Sequence, residues 1–153
     1  NFKNTVIIMT SNIGSTLLLD SVSEEGQLEP GIREMVLSEL RRGFRPEFLN
    51  RIDDIVLFKP LTRKEVKEIV KLVLSSLRER LNEKDMTLEA SESALDYIVS
   101  EGWNPVYGAR PVKRFVQKYV ETELGKMLIK GTIGEGDHVL LDSDSGGLVI
   151  KKK

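Results

Sequence analysis

A long recurrence of apolar residues at helical spacing constrains the fold of this chain more than any other feature. Thr62 and Glu65 show the pattern of a capping box, in which two side chains satisfy free backbone donors at the start of a helix. The apolar positions that follow predict a helix with one buried face: Val66, Ile69, Val70, Val73, Leu74, Leu77 and Leu81. A chain of 153 residues is long enough to bury a core against such a face.

The rest of residues 61–153 predicts a compact α+β module around that helix. Ser91 is expected to cap a second helix that stops at Gly102, and Pro111 is expected to open a third helix that Gly131 closes. Three short strands are also predicted, the last two as a hairpin: Met86–Glu89, Val139–Leu141 and Leu148–Ile150.

Residues 1–60 show a different pattern, which is typical of part of an α/β domain. Asn4–Met9 and Ile52–Phe58 are predicted to be strands, and the first is a continuous apolar run of the kind covered on both faces of a parallel sheet. A helix from Ile32 to about Gly43 and a helical turn opening at Pro46 are predicted between them. Because the sequence opens almost directly into a strand, without a starting Met, we expect a piece of a longer protein whose sheet is truncated.

Composition and missing motifs exclude several classes of function. A formal net charge of -1 argues against binding to nucleic acid or to an anionic membrane, and no apolar run approaches the ~20 residues of a membrane span. The absence of cysteine excludes disulfides and thiolate metal sites, and His138, the only histidine, is predicted to lie on a surface strand. No phosphate-binding loop and no strand ending in Asp-Glu is present. We therefore expect a soluble protein that has no enzymatic activity by itself and no metal-ligating residues.

Two arginines stand together in the most informative stretch, Gly43–Asp53. Arg45 and Arg51 flank a helical turn that leads straight into the second predicted strand, with bulky apolar residues beside them. An anchored guanidinium suits the negative charge that develops on a transferring phosphoryl group. The alternative interpretation is a surface ion pair with Asp53 or Asp54.

Two further polar positions are candidates for contact with an anion. Arg110 stands at the predicted start of the third helix, where free N–H groups favour negative charge, and Gly108 and Ala109 before it leave room for a ligand. Asn12 follows the first predicted strand, where it can orient a water or contact a phosphate oxygen. The alternatives are a tight helix entry without special function and an ordinary polar strand end.

Taken in order, these stretches resemble the C-terminal part of the Clp/heat-shock AAA+ unfoldases over essentially the whole chain. The resemblance rests on Thr10-Ser11-Asn12, on Phe44-Arg45-Pro46-Glu47-Phe48-Leu49-Asn50-Arg51-Ile52-Asp53 and on Gly108-Ala109-Arg110-Pro111. It implies that Asn12 is sensor 1, that Arg51 is the arginine finger and that Arg110 is sensor 2, with Arg45 a second candidate for the work of Arg51. It also implies that residues 1–60 are the C-terminal portion of the AAA+ large subdomain and that residues 61–153 are the small lid subdomain.

The resemblance further implies a homo-hexameric ring that threads unfolded or aggregated polypeptide through its pore and binds ATP with Mg²⁺ between neighbouring subunits. The phosphate loop and the Mg²⁺-binding acids would lie upstream, so this chain alone is expected to bind no cofactor and to be inactive. No partner nucleic acid or membrane is expected. The compartment implied is the cytoplasm, with a mitochondrial or plastid matrix as the alternative.

The choice of partner protein depends on one short motif. Members of the family that feed the ClpP protease carry an apolar-Gly-apolar tripeptide, which in the ClpA and ClpC types lies between sensor 1 and the arginine finger. The glycines of this interval stand in Ile13-Gly14-Ser15, Glu25-Gly26-Gln27 and Pro30-Gly31-Ile32, none of which fits. This favours a ClpB-type disaggregase that works with the Hsp70-type chaperone system. The alternatives are a ClpC/ClpA-type unfoldase feeding ClpP, a pure interaction module and a DNA-loading AAA+ protein.

Overall fold

The computed structural model describes residues 1, 3–21, 27–104 and 106–153, which form two units, Asn1–Pro60 and Leu61–Lys153. The described helices of the first unit are α1 (Ser15–Asp20), α2 (Ile32–Gly43) and α3 (Pro46–Leu49). The second unit has the order α4 (Arg63–Asn82), β1 (Thr87–Ala90), α5 (Glu92–Gly102), α6 (Arg110–Val116), a π-helical segment (Gln117–Glu121), α7 (Thr122–Ile129), β2 (His138–Asp144) and β3 (Gly147–Lys152). Within the described residues, no helix combines the length and apolar character needed to cross a membrane.

Helix α4 confirms the strongest expectation from the sequence. The Thr62 backbone N–H donates to Oε2 of Glu65 over 2.8 Å, and the Glu65 N–H donates to Oγ1 of Thr62 over 3.2 Å, which completes the capping box. The helix buries one face against α5, α6 and β1, and the buried members of the predicted stripe are Val66, Val70, Leu74, Leu77 and Leu81. The predicted α+β architecture of the second unit is therefore confirmed.

The three strands form one small sheet in the order β1-β2-β3. β1 pairs with β2 in parallel, with Thr87 opposite His138, and β2 pairs with β3 antiparallel. The hairpin is longer than predicted, because Asp144 and Gly147 pair with each other and leave only Ser145 and Gly146 in the turn. Oδ1 of Asp144 accepts the Gly146 N–H over 2.8 Å, which closes that turn locally.

The third predicted helix contains one wide turn. Its buried residues are spaced four apart throughout: Val112, Val116, Val120 and Leu124. An α-helix has 3.6 residues per turn, so a stripe of strict four-residue spacing drifts around the helix axis. The π-helical segment Gln117–Glu121 has wider turns, closed by i→i+5 hydrogen bonds, which offset this drift and keep the stripe on the core.

The two strands predicted in the first unit are absent from the described structure. Neither Asn4–Met9 nor Ile52–Phe58 forms a β-ladder in the part of the chain that the structure describes. A strand needs a hydrogen-bonded neighbour, and neither segment finds one among the described residues. The apolar side chains of the first segment and two of the second face solvent instead, with exposed fractions of 83% for Ile8 and 85% for Phe58. Helices α2 and α3 of this unit are confirmed, whereas α1 was not predicted.

Candidate functional site

The segment that carries Arg45 and Arg51 is a single helical turn with fixed backbone geometry. Arg45 is the N-cap of α3 in extended conformation, and its carbonyl accepts the N–H groups of Phe48 and Leu49 over 3.0 and 3.2 Å. The Arg51 N–H donates to the Phe48 carbonyl over 3.0 Å. The rings of Phe44 and Phe48 stack with centroids 5.3 Å apart. Arg51 therefore follows directly on a turn that backbone hydrogen bonds and an aromatic pair stabilise.

The guanidinium groups of Arg45 and Arg51 have no hydrogen bond or ion pair with any of the described residues. Both side chains are exposed. The alternative interpretation of Arg51, an ion pair with Asp53 or Asp54, is not what the structure has, although those carboxylates follow within three residues. Both arginines are thus available to an anion that comes from outside the unit.

A cleft of about 340 Å³ lies beside this turn. Asp53 and Asp54 line it together with Arg33 and Arg41 of α2. Nη2 of Arg33 donates to the Ile55 carbonyl over 3.3 Å and links α2 to the segment that follows Arg51. Sequence reasoning missed Arg33, because its partner is a backbone group 22 residues away and leaves no trace in the local pattern.

Asn12 lies in a tight turn at the entry to α1. Its carbonyl accepts the Ser15 N–H over 3.1 Å, and the Ile13 N–H donates to Oγ of Ser11 over 3.2 Å. Gly14 has φ +74°, and a methyl group added there would lie 2.9 Å from Cγ1 of Val36. The turn therefore rests closely on α2. The Asn12 side chain is exposed and makes no hydrogen bond within the described residues.

Arg110 begins the third helix of the second unit behind an asparagine-closed loop. Oδ1 of Asn104 accepts the N–H groups of Val106 and Tyr107 over 2.9 and 3.3 Å, and its carbonyl accepts the Gly108 N–H over 2.7 Å. This role of Asn104 was missed in the sequence analysis. An Asn four residues before a Gly was the signal that could have indicated the loop. Pro105, which follows Asn104, lies outside the described residues.

The entry to that helix is open around Arg110. Gly108 has φ +62°, and a methyl group added there would meet no described atom within 4 Å. Ala109 is the N-cap, and its carbonyl accepts the Val112 N–H over 3.1 Å. The Arg110 side chain is exposed and has no hydrogen bond or ion pair with the described residues. The space beside this unpaired guanidinium is therefore open enough for an anionic ligand to reach it.

The six predicted positions thus fall into two groups. Asn12, Arg45 and Arg51 belong to the first unit, and Gly108, Ala109 and Arg110 belong to the second. Four of them, Asn12, Arg45, Arg51 and Arg110, have an exposed arginine or amide side chain without a partner in the described chain, which suits contact with phosphate oxygens. Among the described residues, no group of three acidic or histidine side chains has the arrangement needed to hold a metal ion.

Two protein families match successive parts of the chain. Residues 1–55 match the family described as AAA domain (Cdc48 subfamily). Residues 61–141 match the family described as the C-terminal, D2-small domain, of ClpB protein. The gap between the two matches contains the boundary between the two structural units.

Known proteins resemble the chain along its whole length. It is 50% identical over 153 residues to the chaperone protein ClpB of Bacillus cereus and 44% identical over 153 residues to that of Meiothermus ruber. Both alignments cover 100% of this chain but only 18% of the relative, so the chain spans about a fifth of the length of these relatives. A solved structure described as a closed-state reconstruction of Hsp104 with ATPyS and FITC casein superposes with a TM-score of 0.78 at 30% identity, over 96% of this chain and 25% of that chain.

Proposed function

Because the chain belongs to the ClpB family, whose C-terminal D2-small domain its residues 61–141 match, we propose that it is the C-terminal part of a hexameric, ATP-driven protein disaggregase. The similarity of all 153 residues to ClpB chaperones supports this proposal. In the proposed protein, residues 1–60 are the C-terminal portion of the AAA+ large subdomain and residues 61–153 are its lid. The segments Asn4–Met9 and Ile52–Phe58 are then strands that complete their sheet with residues upstream of this chain.

The observation that carries the proposed mechanism is the unpaired state of Arg51. Two aspartates follow it closely, yet its guanidinium has no partner among the described residues, and its backbone belongs to a well-fixed turn. We assign it the role of an arginine finger that enters the ATP pocket of the adjacent subunit. There its positive charge offsets the charge that develops on the γ-phosphate in the transition state.

The remaining candidate residues have supporting roles. Asn12, with an exposed amide at the end of a predicted strand, orients the attacking water as sensor 1. Arg110 contacts the phosphates of the nucleotide as sensor 2, and Gly108 and Ala109 allow the nucleotide to approach the helix entry. Arg45, also exposed and unpaired, lies at the start of the turn that ends at Arg51 and adds positive charge to the same interface.

The nucleotide is ATP, and Mg²⁺ accompanies it in the full-length protein. The three arginines supply cationic contacts for phosphate oxygens, whereas the described residues contain no cluster of carboxylates for the metal. We therefore assign the Mg²⁺ ligands and the phosphate loop to the part of the protein upstream of this chain. When bound, Mg²⁺ would offset part of the negative charge of the nucleotide phosphates.

The substrates of the proposed protein are unfolded or aggregated polypeptides, and its partner is an Hsp70-type chaperone system. Casein and ATPyS in the Hsp104 complex support the substrate and nucleotide classes, and the missing apolar-Gly-apolar tripeptide supports the partner. Recovery of an aggregated enzyme is expected to require an Hsp70 system. Degradation of an unfolded substrate on addition of ClpP would contradict this partner and favour the ClpC/ClpA-type alternative.

The test of the proposed function is Arg51→Ala in the full-length protein. We expect turnover of ATP to fall by ~10³ or more while the nucleotide still binds, because the finger acts in the transition state. Arg63→Ala, which removes another exposed arginine without a described hydrogen bond or ion pair, is the matched control and is expected to keep its turnover. Normal turnover in Arg51→Ala would contradict the proposal.

Arg110→Ala separates the second role from the first. Because Arg110 is proposed to contact the nucleotide in the ground state, its loss is expected to weaken nucleotide affinity, measured by calorimetry with a slowly hydrolysed analogue. Unchanged affinity would contradict the sensor 2 assignment while leaving that of Arg51 intact.

A further inference from the structure

Arg33 is fixed on α2 by buried neighbours on either side of it. Ile32 and Val36 are only 4% and 1% exposed, so the position of this helical turn in the first unit is determined by packing. From this turn the Arg33 side chain reaches the Ile55 carbonyl, to which its Nη2 donates over 3.3 Å. The contact therefore joins a packed helix to an extended segment 22 residues further along the chain.

The segment that receives this hydrogen bond has little other backbone support. Residues 52–58 form no β-ladder in the described part of the chain, and Phe58 and Val56 are largely exposed. Ile55 stands four residues after Arg51, so a shift of its carbonyl is passed on through a short stretch of backbone. A hydrogen bond that holds Ile55 thus limits how far Arg51 can move.

The cleft beside this contact also includes the acidic residues next to Arg51. Arg33, Arg41, Asp53 and Asp54 all line it. These aspartates are also the nearest acidic residues to Arg51 in sequence, and a pair with either of them would neutralise its charge. Neither carboxylate has a hydrogen bond or ion pair with a described residue, so the constraint on this segment comes from the Arg33 hydrogen bond to Ile55.

From these contacts we infer that Arg33 is a positioning residue for Arg51. Its hydrogen bond to Ile55 holds the backbone that follows Arg51 against α2. This inference rests on the proposed role of Arg51 as an arginine finger and adds the residue that sets its geometry.

The experiment compares Arg33→Met, Arg33→Lys and Arg41→Met in the full-length protein. Loss of the hydrogen bond in Arg33→Met is expected to lower kcat for ATP by roughly ten- to a hundredfold with KM little changed, since a displaced finger affects the transition state and not binding. Arg33→Lys keeps a charged donor and is expected to recover part of kcat. Arg41→Met removes a charge from the same cleft but no described hydrogen bond, and is expected to stay within about twofold of the unmodified protein.

Mixed rings distinguish positioning from a loss of structure. Arg33→Met subunits are combined with subunits that have a disabled phosphate loop of their own but an intact Arg51 and Arg33. Because the finger acts on the neighbouring pocket, the intact donors are expected to restore turnover at the pockets of Arg33→Met subunits. Arg51→Ala subunits, mixed in the same way, are expected to be restored too.

Three results would overturn the inference. One is an equal loss of kcat in Arg41→Met, which would make the cleft charge and not the hydrogen bond responsible. A second is that Arg33→Met subunits do not recover turnover in mixed rings, whereas Arg51→Ala subunits do. The third is a normal kcat in Arg33→Met although Arg51→Ala is defective. Normal turnover in Arg51→Ala itself would instead contradict the proposed function.

Discussion

The two units of the chain differ in where their apolar side chains find partners. In the second unit, α4, α5, the third helix and the sheet bury one another, and Ile98 is fully buried. In the first unit, the most apolar run of the chain lies open, with Ile7 and Ile8 82% and 83% exposed. All the apolar surfaces that form the core of the second unit come from its own sequence. The first unit instead contains strand-type sequences without a ladder partner among its described residues.

Charged groups divide into paired and unpaired ones within each unit, since Arg42 pairs with Glu39 in the first unit and Arg110 is unpaired in the second. In the second unit Lys67 contacts Asp96 over 2.6 Å and Arg80 contacts Glu121 over 2.8 Å. In the first unit Arg45 and Arg51 remain without partners in the described chain. An apolar run without a packing partner and an arginine without an ion-pair partner therefore indicate the parts of a chain whose partners lie elsewhere.

Ile98 and Ile8, one buried and one exposed, test this comparison. Their substitutions have the largest expected difference in stability. Ile98→Ala removes a fully buried side chain and is expected to lower the free energy of unfolding of this chain by about 2–5 kcal/mol. Ile8→Ala removes a side chain that is 83% exposed and is expected to change it by less than about 0.5 kcal/mol. Denaturant unfolding of the two variants measures both values.

The same pair sharpens the comparison in the full-length protein. If Asn4–Met9 completes a buried strand there, Ile8→Ala becomes costly by an amount similar to Ile98→Ala. A small effect of Ile8→Ala in both contexts would show that this segment has no partner strand and would break the assignment of residues 1–60 to a truncated sheet.

A pair of glycines tests whether the first unit is closely packed where α1 meets α2. Gly14→Ala places a methyl group 2.9 Å from Val36 in a left-handed conformation, whereas Gly31→Ala requires a left-handed conformation but meets no described atom within 4 Å. We expect Gly31→Ala to cost about 1–2 kcal/mol and Gly14→Ala to cost about 1–3 kcal/mol more. Amide hydrogen exchange of α2 reports both costs locally. Equal costs would mean that the Asn12 turn does not rest on α2.

The smallest effect concerns acid stability in the second unit. Hydrogen bonds from Ser91, the Ser143 N–H and Ser93 lower the pKa of Asp142 from 3.8 to about 2. A lowered pKa stabilises the folded state fully above about pH 4, and this contribution is lost as the pH falls through 2. The free energy of unfolding is therefore expected to fall between about pH 4 and pH 2, and to fall less in Asp142→Asn. An identical pH dependence in both proteins would contradict the link between β2 and the N-cap of α5.

Features that depend on residues close in sequence could be predicted from the sequence. The capping box of Thr62 and Glu65 and the Ser91 cap span three residues each, and both are present. The candidate site residues were located in the same way, from short motifs, although their roles stay predictions.

Features that depend on distant partners could not be predicted. Ser91 donates to Asp142 over 2.7 Å across 51 residues, and Arg33 reaches Ile55 across 22. The β-branched run at Asn4–Met9 predicted a strand that the described structure does not contain, because a strand depends on a neighbour that its own sequence does not reveal. The four-residue spacing from Val112 to Leu124 was visible, but the wide turn that accommodates it follows from packing on the core.

The most direct test of the central proposal is the structure of the assembled full-length ring with a slowly hydrolysed ATP analogue. The distance to measure joins the Arg51 guanidinium to the γ-phosphate bound by the adjacent subunit. We predict a direct charge-assisted contact of about 3 Å in the closed interfaces. An Arg51 side chain that lies remote from every neighbouring nucleotide, or that contacts the nucleotide of its own subunit, would contradict the proposal.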